Sequence, residues 1–170
     1  MRPSVILSRL ISLWALFGGA LLLIIVLATA VNAIGFTANM VARSWGGNVP
    51  GLPGYEDAVT MLVGVAGLAM FPYCQLHGGH AAVDIFMQNA PAFANRVVSV
   101  LSGVLVIAIA LTMAVMLVYG TIETRSDNTE TAVLGWPIWI FMPFAVVSCV
   151  LWALAAFAET FMKEDAGHGA

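Results

Sequence analysis

The chain has 170 residues, 61% hydrophobic and 9% charged, with a net charge of −3 and a mean hydropathy of +0.97. A soluble domain carries about 25% charged residues and about half apolar ones, so this composition excludes a water-soluble fold and makes lipid the solvent. Six Lys and Arg, scattered without a basic run, exclude a nucleic-acid footprint.

Taken in order, uncharged runs mark four spans. Arg2 and Arg9 precede an apolar segment from Leu10 to about Ile34. It is longer than the roughly 7–15 residues of a signal-peptide core and long enough to cross a hydrocarbon layer of about 30 Å. It reads as an uncleaved first membrane helix, span 10–34. Phe36, Met40, Arg43 and Trp45 then suggest a short interfacial helical turn. Gly46 to Gly54 is too dense in Gly and Pro for regular structure and reads as a loop, with Trp45 and Tyr55 at belt positions. Glu56 and Asp57 open the second span, 57–76, where acids suit the positive end of the helix dipole. Pro72 should kink it near its end.

The third span, 97–122, follows Arg96, and Glu123 to Glu130 forms a polar turn. The fourth, 132–158, has Trp136, Pro137 and Trp139 at its start and Pro143 as an expected bend. Its small residues Ala145, Cys149 and Ala153 recur at i, i+4, i+8, a spacing that suits close helix contact, as do Ser99 with Gly103 and Ala15 with Gly19. Cys74 and Cys149 read as packing residues, not as a disulfide or a metal pair. The expectation is one all-α membrane domain over residues 1–170, with four transmembrane helices as two hairpins joined by a short interfacial helix.

That joining stretch, His77 to Phe86, is where ionisable side chains cluster between the hairpins. As a helix from Gly79 to about Asn89, it puts His80, Asp84 and Gln88 on one face and Val83, Phe86 and Met87 on the other. Such a segment lies along the bilayer surface and stops before Pro91. His77 and His80 with Asp84 offer three donors for a metal, but a pairing of His80 with Asp84 across one turn, or a subunit contact, is the simpler reading. A haem needs histidines facing each other from different helices; both lie here on one segment.

The span interiors hold no Asp, Glu, Lys, Arg or His. Pumps and ion-coupled carriers place such residues at mid-depth, so transport by this chain alone is not expected. Nor is there a nucleophile–base arrangement or a phosphate loop, and no enzyme activity is expected. Arg2, Arg9, Arg96 and Lys163 fall on one side of the membrane, and Arg43 and Arg125 on the other. That bias puts both termini in the cytoplasm.

The pattern resembles the small membrane subunit, Q-type or DctQ-like, of tripartite ATP-independent periplasmic (TRAP) transporters. Arg43 followed by a loop and Glu56 resembles the family's Arg after helix one and its acid at the start of helix two. Gly79-His80-Ala81-Ala82-Val83-Asp84 resembles its Gly-His-x-x-Val-Asp stretch, and Thr131 to Pro143 its proline- and tryptophan-containing entry to helix four. Tyr55-Glu56-Asp57 departs from the Trp and paired glutamates of many members.

The resemblance implies a scaffold subunit of a sodium-dependent symporter in the bacterial inner membrane. Its partners would be a large M-type membrane subunit, which holds the substrate and Na+ sites, and a periplasmic binding protein that delivers an organic acid such as a C4-dicarboxylate or sialic acid. No cofactor is expected in this chain. Arg43, Glu56, Asp57, Arg125, Asp127 and Glu130 are the candidate periplasmic docking residues; His77, His80 and Asp84 are the candidate cytoplasmic subunit contacts. The alternative is a membrane anchor of a redox enzyme, which a Soret band in the visible spectrum would reveal.

Overall fold

The computed structural model describes residues 3–49, 51–77 and 92–162. Four helices in it are long and apolar enough to cross a membrane. They are α1 (Pro3–Arg43), α2 (Tyr55–Leu76), α3 (Ala92–Ser126) and the run Ile138–Phe161, in which α4 (Met142–Phe157) is preceded by a 3-10 turn (Ile138–Ile140) and continued by a π-turn (Ala158–Met162). Among the described residues there is no strand, only one isolated antiparallel bridge between Glu130 and Pro137. The expected interfacial helix over 79–89 lies outside the described residues.

Packing runs α1 on α2, α2 on α4, and α4 on α3. The most enclosed helix is therefore α4, where Ala145, Ser148, Cys149, Leu151, Trp152, Ala153, Ala155 and Ala156 are buried. The expected stripe of Ala145, Cys149 and Ala153 is part of that set. Ile11 packs with Leu151 and Ala155, and Leu7, Trp14 and Leu76 close around them. A second cluster joins Ala110, Trp152 and Ala153, with Val106 against it. In α1, Gly18 lies so close to α2 that an added Cβ would sit 2.8 Å from the Ala69 Cβ. Lipid tails are as apolar as these side chains, so close van der Waals contact of this kind drives the association.

α1 and α3 begin earlier than read in the sequence, at Pro3 and Ala92, and three further boundaries differ. First, α1 continues through Arg43 where a separate interfacial turn was expected over 36–45. No proline interrupts it, and the Thr37 hydroxyl donates back to the Ala33 carbonyl at 3.0 Å. It stops in a Schellman motif: Gly46 takes φ +75, Gly46 N–H donates to Arg43 O and Gly47 N–H to Ala42 O. At 41 residues, α1 is about 60 Å long, roughly twice a hydrocarbon core.

Second, α3 runs to Ser126, into the expected polar turn, and ends in the same motif. Asn128 has φ 48 and donates to Arg125 O, and Thr129 donates to Thr124 O. Third, no α-helix begins at 132. Gly135 has φ +64 and Pro137 is extended, while Thr131 N–H donates to Trp136 O and Ile138 N–H to Thr129 O. Those bonds close a compact loop. Pro143 consequently lies in the first turn of α4, where its missing N–H costs nothing, so it starts that helix instead of bending it. Pro72 is buried inside α2.

Candidate functional site: the junction between the two hairpins

The side chains with directed polar contacts gather at the two ends of the seam where the α1–α2 hairpin meets the α3–α4 hairpin. At one end, Asp57 in the first turn of α2 reaches the α3–α4 loop. Its Oδ2 accepts the Val133 N–H at 2.7 Å and the Leu134 N–H at 3.0 Å. Beside it, Gly54 has φ +77 and faces Leu134 so closely that an added Cβ would be 2.5 Å from its Cγ. The loop is braced from within: Trp136 N–H donates to the buried Thr131 hydroxyl at 3.0 Å, and Trp136 stacks on Phe141 with ring centroids 6.1 Å apart. Arg125, at the end of α3, lays its guanidinium over the Trp139 ring, 5.0 Å from the centroid.

At the other end, Gln75 of α2 is held between two groups of the second hairpin. Trp152 Nε1–H donates to Gln75 Oε1 at 3.2 Å, and Gln75 Nε2 donates to Glu159 Oε2 at 2.7 Å. Glu159 belongs to the π-turn, and Thr160 next to it fills the space over Gly103 of α3. Between the two ends, α1 is tied to α4 by Trp14 Nε1–H, which donates to the Ser148 hydroxyl at 2.9 Å; that hydroxyl in turn donates to Phe144 O at 2.9 Å.

The expected site residues divide accordingly. Arg43, Glu56, Arg125, Asp127 and Glu130 are exposed, and Asp57 is half-buried in the seam. Asp57 and Arg125 are already committed to partners within the chain. Arg43 ends α1, and the bonds of the Asn39 carboxamide to Val49 N–H and of the Schellman motif fold the loop after it back on the helix. His77 is exposed at the C-cap of α2, its ring stacked on Tyr73 at 4.1 Å with Nδ1 3.0 Å from Tyr73 O. His80 and Asp84 lie outside the described residues. Among those described, no group of three His, Cys, Asp or Glu is placed to hold a metal ion.

Ser148 read in the sequence as one of the isolated polar residues that join helices, and it does so, whereas sequence reading missed Gln75 and Glu159 as junction residues. Gln75 had a readable signal, an amide at the foot of an apolar span that would need a partner there. Glu159 had none, because an acid just past an apolar run looks like the start of a solvated tail.

A multi-pass membrane protein, stapled across its helices by isolated hydrogen bonds and free of mid-depth charge, is the class this architecture defines. The family profile described as tripartite ATP-independent periplasmic transporters, DctQ component, matches residues 33–163. The chain belongs to that family and is the small permease subunit of a TRAP transporter. Neither the curated proteins nor the solved structures contain a match.

Proposed function

We propose that this chain is the scaffold subunit of a sodium-dependent TRAP symporter for an organic acid, a C4-dicarboxylate, sialic acid or similar carboxylate. The observation that supports the reading most is the seam between the hairpins. Held at both ends by hydrogen bonds, it suits a body that stays in one shape while a partner moves. In this reading the large M-type subunit carries the substrate and the Na+, and this chain needs no cofactor and catalyses no reaction.

In this reading the membrane is a bacterial inner membrane, and the excess of Arg and Lys at the terminal side supports an orientation with both termini in the cytoplasm. The Asp57 end of the seam then faces the periplasm, together with Arg43, Glu56, Arg125, Asp127 and Glu130. This surface is the proposed landing place of the binding protein. Asp57 would act there indirectly, by holding the loop that displays Asp127 and Glu130. His77, with His80 and Asp84, would lie on the cytoplasmic side as a contact for the large subunit.

Gentle extraction of the tagged chain from native membranes tests this. Co-purification of a large multi-span protein and a periplasmic binding protein is the expected result. Recovery instead with a haem-containing enzyme and a Soret band would overturn the assignment to a transporter. For the docking surface, Arg125→Glu and Asp127→Lys should each weaken binding-protein affinity; unchanged affinity and uptake remove these residues from it.

A further inference from the structure

The buried side chains of α2 and α4 are mostly small: Val65, Ala66 and Ala69 on one, Ala145, Ser148, Cys149, Ala153, Ala155 and Ala156 on the other, with Pro72, Leu151 and Trp152 the larger ones. Surfaces of this texture keep much of their van der Waals contact if one helix slides a turn, about 5.4 Å, along the other. Within the hydrocarbon layer no hydrophobic driving force between the helices adds to that contact. Directional bonds do oppose it: Asp57 makes them at the start of α2 and Trp14 in α1, and at the end of α2 Gln75 makes them to Trp152 of α4 and Glu159 of its π-turn.

We propose that Gln75 is a positioning residue that sets the axial register of α2 against α4 at its own end of the seam, by gripping Trp152 and Glu159 at once. The geometry is restrictive. Its carbonyl takes the Trp152 indole N–H at 3.2 Å and its amide N–H₂ gives to Glu159 at 2.7 Å, so both ends of one planar group are used. Trp152 and Glu159 are seven residues apart, and the π-turn (Ala158–Met162) is the local departure from α geometry that carries Glu159. The same turn is pinned on its far side, where Thr160 occupies the place a side chain at Gly103 would need. A slide of one turn would break both bonds together and leave an amide, an indole N–H and a carboxylate without partners beside lipid. Phe71, one turn before Gln75, meets the Trp152 ring edge-on at 5.0 Å and adds apolar contact to the same grip. Register-setting by an isolated polar group in an otherwise slippery helix interface is the best-attested use of such groups. The inference does not depend on the transport assignment.

The test uses the full chain in lipid nanodiscs, with Cys74 and Cys149 replaced by Ala and spin labels at the exposed positions Tyr73 on α2 and Leu154 on α4, near the Gln75 grip. Gln75→Leu removes both bonds, and Gln75→Glu sets two carboxylates against each other. Gln75→Glu combined with Glu159→Gln exchanges donor and acceptor and restores the same bonding pattern. Wild type and the exchanged pair should show one narrow label-to-label distance and a Trp152 indole N–H signal protected from exchange. Each single variant at Gln75 should add a second distance population, lose that protection, and melt roughly 2–8 °C lower. A lower melting temperature with the distance distribution unchanged would mean that Gln75 only stabilises the fold, and would overturn the proposal. Failure of the exchanged pair to recover the narrow distance would also overturn it.

Discussion

Replacing Gly54 by Ala tests the Asp57 end of the seam, because two separate costs meet at one atom. Gly54 precedes α2 with φ +77 and ψ 4. In that left-handed region a side-chain Cβ crowds the following carbonyl, at a cost of about 1–2 kcal/mol. The new Cβ would also lie 2.5 Å from Leu134 Cγ and Cδ2. Leu134 then has to leave its position, and overpacking of this kind costs about 1–3 kcal/mol. Together they amount to about 2–5 kcal/mol, a fall in melting temperature of about 4–20 °C for a chain of this size. Thermal unfolding in detergent, followed by circular dichroism, measures it. Two substitutions in α2 serve as controls: Gly64→Ala and Gly67→Ala meet nothing within 4 Å, and should be neutral or stabilising by up to about 1 kcal/mol. Adding Leu134→Ala to Gly54→Ala should recover the steric part and not the backbone part, which appears as a favourable coupling of about 1–3 kcal/mol in a double-mutant cycle. If Gly54→Ala melts with the wild type, or if Leu134→Ala gives no relief, the close approach at this junction is refuted.

Other substitutions probe the remaining ties. Asp57→Asn weakens the acceptor for the Val133 and Leu134 amides; their hydrogen exchange should quicken while α2 and α4 stay protected, and mass spectrometry of the loop peptides shows it. Ser148→Ala removes the acceptor of Trp14 Nε1–H between α1 and α4. Hydrogen bonds between membrane helices contribute about 0.6–1.7 kcal/mol, so melting should fall by about 1–7 °C and the Trp14 indole N–H resonance should move. Arg125→Lys keeps the charge but loses the planar group stacked on Trp139. If that stack presents Arg125 to the binding protein, affinity should fall by about two- to five-fold, as expected for about 0.5–1 kcal/mol, and Arg125→Glu should lower it further. Equal affinity for all three residues at 125 would count against the stack.

Much of this protein was legible in its one-dimensional pattern. A helix in lipid satisfies its own backbone, so length and the absence of charge are enough to mark a span. The four apolar runs, the acids opening α2 and the small-residue stripe of α4 all follow from residue type and spacing. Membership of the small-permease family was equally visible, since its marks are short local patterns such as Arg43 with Glu56 and the proline–tryptophan entry to the last helix. Helix ends were less legible. Gly46 and Asn128 end α1 and α3 by adopting left-handed backbone, and beside Gly46 both Gly47 and Asn48 are residue types that could have done so. Likewise Pro143 looked like a bend because the loop before it looked helical; only the bonds from Thr131 to Trp136 and from Ile138 to Thr129 show where α4 can begin.

What the tertiary structure alone decided is which polar groups meet. Asp57 and Leu134 are 77 residues apart, Gln75 and Trp152 likewise, and Trp14 and Ser148 are 134 apart. No periodicity within a helix encodes such pairings, because they depend on which helix lies beside which and at what height. A hydrogen bond in an apolar surrounding is made at one position and lost within about an ångström of it, whereas apolar contact tolerates sliding. So the spans, read from composition, were insensitive to the neighbours each helix would find, and the seam that joins them was set by those neighbours.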